Sequence, residues 1–379
     1  MARPGLAVVL REWGRIGCLG FGGPPTHIRM LRDLCVDRRK WLSPVEFEDA
    51  VAACNLLPGP ASTQLAIFCA WRVRGRLGAL LGGAAFIVPG LVLILALAAV
   101  FLEGSPPRVV LAAGAGAGSA VAAVAVHAAA GLMPASWARA RRGGRAHWVR
   151  WLVYLVAGLA AAATMGPWLV VVLLICGTLE VVLRRAAGPL SVAPSPLLVL
   201  GALSLPTLAS LVWVALKVGA LSYGGGFVIV PLMQHDAVGV HGWMSAAQFL
   251  DAVALGQITP GPVVQTVAVV GYAAAGLGGG VLAALVAFSP SFLFVLLGAP
   301  HFEQLRGNAT ARGFLDGAGP AAIGAILGSS VTLARALTQP WQFAVLAVAA
   351  LLLLVLRRGV VLTLLSAALA GILAGMMVP

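Results

Sequence analysis

The chain carries the same interrupted stretch twice, 202 residues apart, and each interruption lies inside apolar sequence. The first copy reads Gly17-Cys18-Leu19-Gly20-Phe21-Gly22-Gly23-Pro24, and the second Gly219-Ala220-Leu221-Ser222-Tyr223-Gly224-Gly225-Gly226. The match then runs on: Trp41 with Trp243, Ser43 with Ser245, Phe47 with Phe249, Asp49 with Asp251, Asn55 with Gln257, and Pro58-Gly59-Pro60 with Pro260-Gly261-Pro262. Glycine and proline interrupt helices, one through backbone freedom and the other through a missing N–H. At membrane depth, open backbone is tolerated only where it is buried in protein or lines a cavity. A duplicated pair of such breaks is the pattern of a transporter built from two related halves around one site.

Membrane depth follows from composition. Of 379 residues, 60% are hydrophobic and 10% charged, against about 25% charged in a typical soluble domain. Apolar runs long enough to span a bilayer occupy 77–102, 109–133, 151–165, 197–214, 279–297 and 360–378. The expected fold is an all-α polytopic membrane protein of two inverted-topology repeats with re-entrant, broken helices. Residues 1–135 are read as the N-terminal repeat and 215–379 as the C-terminal repeat. Residues 136–214 are read as a loop plus an odd number of linking transmembrane helices. The net charge of +13 reads as cytoplasmic loops rather than a nucleic-acid surface, because no stretch is polar enough to form a basic soluble domain. Cys18, Cys35, Cys54, Cys69 and Cys176 form no CxxC pair and read as packing residues. No disulfide framework, metal site or cleaved signal peptide is expected.

Charge asymmetry between the copies sets the expected topology. Arg29, Arg32, Arg38, Arg39 and Lys40 lie between the two motifs of the first half, whereas 231–243 holds no Lys or Arg. Arg72, Arg74 and Arg76 follow the second motif, whereas 274–278 again holds none. The positive-inside rule then puts the copies on opposite faces. With a cytoplasmic N-terminus and each motif at a hairpin tip, only Arg108, Lys217 and Arg335 of the 25 basic residues fall outside. This count uses one further span near 197–214. A parallel duplication would instead strand Arg306 and Arg312 outside.

The breaks have a definite chemistry. Ser43-Pro44-Val45-Glu46 is a capped helix start, and Ser245 with Gln248 repeats it. That helix runs into Pro58-Gly59-Pro60, after which a new helix begins near Pro60 or Ala61. The free amides and positive dipole end of the new helix point at the break and favour an anion. Candidate ligands of an oxyanion are the backbone amides of Gly22, Gly23, Gly59, Gly224, Gly225 and Gly261. The side chains of Asn55, Gln64, Tyr223, Gln257, Thr259 and Gln265 join them. Asp49 and Asp251 have two readings, as proton-coupling carboxylates or as charges complementing a helix start. Lys217 and Arg15 either draw an anion inward or anchor a helix end. His27 faces the first motif but has Ile229 as its counterpart. Glu46 and Glu48 read as interfacial.

No HExxH, GxSxG, Walker A or strand-borne GxGxxG is present, so neither an enzyme nor a nucleotide or other cofactor is expected. At its motifs the chain resembles the chromate ion transporter family, in its two-domain long form. The resemblance is carried by Phe21-Gly22-Gly23-Pro24, Arg38-Arg39-Lys40-Trp41 and Leu57-Pro58-Gly59-Pro60 in the first half. In the second it is carried by 221–227, Pro231-Leu232-Met233, Trp243 and 256–262. It implies a bacterial inner-membrane protein that exports chromate by gradient-driven alternating access and confers chromate resistance. Uptake or exchange of sulfate or another oxyanion is the alternative. Expected partners are chromate or sulfate and the lipid bilayer, with no nucleic acid. Oligomeric state is left open, a homodimer included.

Overall fold

The computed structural model describes residues 4–55, 57, 59–102, 106–164, 169–185, 207–222, 227–299 and 308–377. Their regular elements are all helical. The first half holds α1 (Leu6–Leu19), α2 (Pro24–Arg32) running into a π-helical turn (Asp33–Arg38), α3 (Pro44–Cys54), α4 (Ala61–Leu102), α5 (Arg108–Arg142), α6 (Arg145–Thr164) and α7 (Leu169–Arg185). The second repeats that order. It holds α8 (Thr207–Leu221), α9 (Ile229–Gln234) with its own π turn (His235–Val240), α10 (Ala246–Ile258), and α11 (Thr266–Gly298) behind a 3-10 turn (Val263–Gln265). Then come α12 (Ala309–Arg335), α13 (Pro340–Ala350) with a π turn (Leu351–Val355), and α14 (Val360–Met377). Of the further span expected over 197–214, residues 207–214 begin α8 and the rest lie outside the described residues.

Local chemistry places the breaks. Both capping boxes form: the hydroxyls of Ser43 and Ser245 accept from the amides of Glu46 and Gln248, whose side chains accept in return. Arg72 pairs with Glu46. This ties the end of the first arm of α4 to the start of α3, so α3 and that arm form a hairpin with the 55–60 break at its tip. Ser43's backbone N–H and Arg72 together hold the Glu46 carboxyl below its ordinary range. The arm then stops at Arg74 (φ −142°) and Gly75 (φ 64°, ψ −155°), a conformation essentially confined to glycine. α11 bends alike at Ala275 and Gly276 (φ 62°, ψ −158°). The repeat offset has fallen there from 202 to 201. One residue is missing after Pro262, and a tight 3-10 turn replaces the first α-helical turn.

The long arms of α4 and α11 pack antiparallel. A Cβ on Gly83 would sit 2.5 Å from the ring of Phe292, and one on Gly280 would sit 2.5 Å from Leu95. Position therefore falls along one arm as it rises along the other. α6 and α7 stand to α12 as α13 and α14 stand to α5. Gly324 packs on Leu155 and Gly328 on Leu159, so α12 runs parallel to α6. Gly317 packs on Cys176, and on the other side Gly116 packs on Ala367. α5 is thus clasped by α13 and α14, and α12 by α6 and α7, two helices that the sequence reading places in the linking segment 136–214. Small residues permit the approach: a Cβ on Gly324 would lie 1.9 Å from the Leu155 carbonyl oxygen. Leucine and valine face outward along α4, α11 and α14, among them Val92, Leu285 and Leu369. Among the described residues, five helices, 61–102, 108–142, 145–164, 263–298 and 309–335, are long and apolar enough to cross a membrane. α8, α13 and α14 add shorter apolar helices. The protein is an all-α polytopic membrane protein.

Candidate functional site

The break after α1 is built on Gly22 (φ 97°) and Gly23 (φ 74°), where a side chain would be strained. Pro24 and Pro25 follow, and neither has an N–H, so the start of α2 offers fewer amides than an ordinary helix terminus. His27 is fully buried behind it. Its Nε2 lies 2.8 Å from the Gly20 carbonyl oxygen and its Nδ1 lies 3.3 Å from Ser62 Oγ. A carbonyl only accepts, so Nε2 carries the proton and the Ser62 hydroxyl donates to Nδ1. The Gly20 carbonyl also accepts from the Gly261 amide at 3.1 Å. The first break of one half therefore touches the second break of the other, and Gly23 lies beside Val263.

The Pro-Gly-Pro breaks turn at Gly59 (φ 116°) and Gly261 (φ 97°). The amides of Thr63 and Gln64 return to the Pro60 carbonyl at 2.9 and 3.0 Å. Those of Ala61 and Ser62 head α4, where a helix has no acceptor of its own to offer. A Cβ on Gly59 would lie 2.6 Å from Gln64 Nε2, and 3.4 Å from both the Gly219 carbonyl and Ser291 Oγ. Gly90 is the repeat counterpart of Ser291, and a Cβ there would lie 2.0 Å from the Pro260 carbonyl oxygen. Each Pro-Gly-Pro break thus rests against the long arm from the opposite half.

The expected ligands meet different fates. Asn55 is exposed at the end of α3, whereas its counterpart Gln257 is buried with Nε2 unpartnered. Gln64 is fully buried against Gly59. Gln265 donates from Nε2 to the Ile87 carbonyl at 2.8 Å. Thr259 Oγ1 donates to Leu255 in its own helix at 2.8 Å. The Gly261 amide, expected as a direct donor, is engaged by Gly20 in this conformation. Tyr223, Gly224 and Gly225 lie outside the described residues. Lys217 pairs with Asp236 at 2.5 Å and lies over the Trp213 ring, an anchoring arrangement. Glu48 pairs with Arg32 at the exposed base of α3.

The expected ligand set left out three hydroxyls. Thr63, Ser222 and Ser291 are fully buried and their oxygens find no partner. A buried unsatisfied polar group costs about 1–3 kcal/mol, so several beside one set of breaks call for a polar occupant. Ser291 had a signal, Ser289-Pro290-Ser291 inside an apolar run, and Ser222 sits in the motif itself.

A cavity of about 190 Å³ opens onto the first-half break. Asn55, Gly59 and Ala61 line it on one side, Gly319 and Ile323 of α12 on another, and Ser136 and the half-exposed Arg139 of α5 on a third. It occupies a gap: α3 stands off from α12. The equivalent contact in the other half is closed. There α10 packs on α5, and a Cβ on Gly118 would meet Leu250 at 3.1 Å and Asp251 Oδ1 at 3.3 Å. Gly319, the counterpart of Gly118, has nothing within 4 Å. The two halves thus hold related interfaces in opposite states. Asp251 lies at the closed one, and Asp49 is half-buried on α3 beside the open one.

The family model described as "Chromate transporter" matches residues 7–181 and 209–372. A chromate transport protein of Cupriavidus metallidurans is 32% identical over 336 residues, covering 85% of this chain and 80% of the relative. One of Pseudomonas aeruginosa is 32% identical, covering 85% and 79%. A probable chromate transport protein of Synechococcus elongatus is 31% identical, covering 85% and 82%. No solved structure matches the chain. On the matched length and on these identities, the chain belongs to the chromate transporter family.

Proposed function

We propose that the protein carries chromate across a bacterial inner membrane by alternating access, exporting it from the cytoplasm under an ion gradient. The observation that carries this reading is the set of unpartnered buried polar groups beside the breaks, with a cavity reaching the first-half break at Gly59. A tetrahedral dianion accepts from many donors at once, and glycine backbone, helix-terminal amides and hydroxyls can hold it without fixed positive charge. The absence of a lysine or arginine at the break favours release as well as binding. The relatives, named chromate transport proteins, point to chromate.

Antiparallel packing of the equivalent arms supports inverted repeats, and the basic loops at 29–40 and 72–76 support a cytoplasmic N-terminus. The unequal interfaces support rocking: the opposite state is the one in which α3 closes on α12 and α10 leaves α5. Asp251 and Asp49 lie at or beside the interfaces that exchange, which makes them the proposed coupling carboxylates. Sulfate shares the charge and shape of chromate, so it is the natural competitor.

Tracer chromate uptake into inverted membrane vesicles tests the reading. Gly22→Leu should abolish uptake while the variant reaches the membrane at wild-type levels. Full activity in that variant would remove the first break from the site. Uptake that sulfate drives, with chromate inert, would transfer the assignment to the sulfate reading.

A further inference from the structure

We propose that Arg139 is the first ligand of the transported oxyanion, exchanging Asp316 for it at the cavity wall. This rests on the oxyanion-transport reading above. Arg139 lies in the last turn of α5 and is the charged residue among those lining the cavity that leads to Asn55 and Gly59. Its Nε lies 3.2 Å from Asp316 Oδ1. Among the described residues its terminal nitrogens have no other acceptor, and its side chain is 52% exposed.

Behind it stands a fixed charged base. Glu180 is buried and takes both Arg150 Nε (2.8 Å) and Arg150 Nη2 (3.1 Å), Arg184 Nε (2.9 Å) and the Tyr154 hydroxyl (3.1 Å). Arg184 reaches across to Asp316 Oδ2 at 2.9 Å. Three guanidinium groups thus share two carboxylates, and the surplus positive charge falls to Arg139, which borders open space. The guanidinium fork suits two oxygens of a tetrahedral anion. Asp316 serves as its resting partner and as a competitor that helps the anion leave inward. The counterpart of Asp316 in the other half is Ala115, and α12 ends at Arg335, short of a position equivalent to Arg139. The device therefore serves one face, as capture from a single compartment requires.

The test is the concentration dependence of tracer flux in inverted vesicles, with chromate and separately with sulfate. Arg139→Gln should raise KM about tenfold with the maximal rate nearly kept, and Arg139→Lys should recover part of the loss. Asp316→Asn should lower KM several-fold, and Arg139→Gln/Asp316→Asn should behave as Arg139→Gln alone. A pair acting only as a structural latch predicts both single variants shifting together, and that result overturns the proposal. So does an unchanged KM in Arg139→Gln. If Arg139→Gln fails to reach the membrane, the direction of the Asp316→Asn shift decides. Wild-type vesicles that move neither anion would overturn the transport reading itself, with the proposal.

Discussion

A hydroxyl sealed in an apolar interior is a liability unless something shares its proton. Ser291 is such a group, with its oxygen unpartnered beside Gly59. If the place were dry, Ser291→Ala would only relieve a cost. The prediction separates two readouts. Thermal stability in detergent should stay level or rise by about 1 kcal/mol, while half-saturation for chromate should rise several-fold in vesicle flux. Loss of stability with unchanged half-saturation would make Ser291 a packing residue. Gly59 and Asn55 were legible as site candidates because both copies display the motif. Ser291 was marked only by its Ser-Pro-Ser setting and not by the repeat, because its counterpart is Gly90 and duplication reveals only what the two copies share. Nor does any local pattern announce that the Gly261 amide is occupied by Gly20, a backbone contact between residues 241 positions apart.

Helix starts and stops were the most readable elements. Ser43 and Ser245 cap as their spacing demands, and α4 begins at Ala61 just past the break. What escaped the sequence reading is the register slip after Pro262, since one missing residue leaves every motif residue in place. Equally hidden was the correspondence of α6 and α7 with α13 and α14. Lipid-facing helices need only be apolar and of roughly the right length, so their sequences can drift apart while their packing persists. At this scale the bend at Gly75 is the place to probe. A Cβ there would meet nothing within 4 Å, so crowding is not the issue and backbone strain alone is tested. Gly75→Val should cost about 1–3 kcal/mol, read as a lower melting temperature, with Gly78→Val failing more severely because Ala70 O lies 2.4 Å from its Cβ position.

For the whole molecule, the inverted arrangement proposed above rests on charge bias in the loops and antiparallel packing of the arms. In a cysteine-free background, Asp37→Cys should react with a membrane-impermeant maleimide in inverted vesicles only. Gly239→Cys, its repeat counterpart, should react in intact spheroplasts. Both positions are exposed, so labelling from a shared face would rule out the inverted arrangement. The clasp around α5 and α12 also bears on how the chain is made. Because each long helix finds its glycine-fitted partners outside its own half, neither half is a self-sufficient folding unit. A ribosome that has finished α5 has made a helix whose docking surfaces are still to be synthesised. Its contacts with α13 and its glycine-fitted contacts with α14 can form only once those helices have been made.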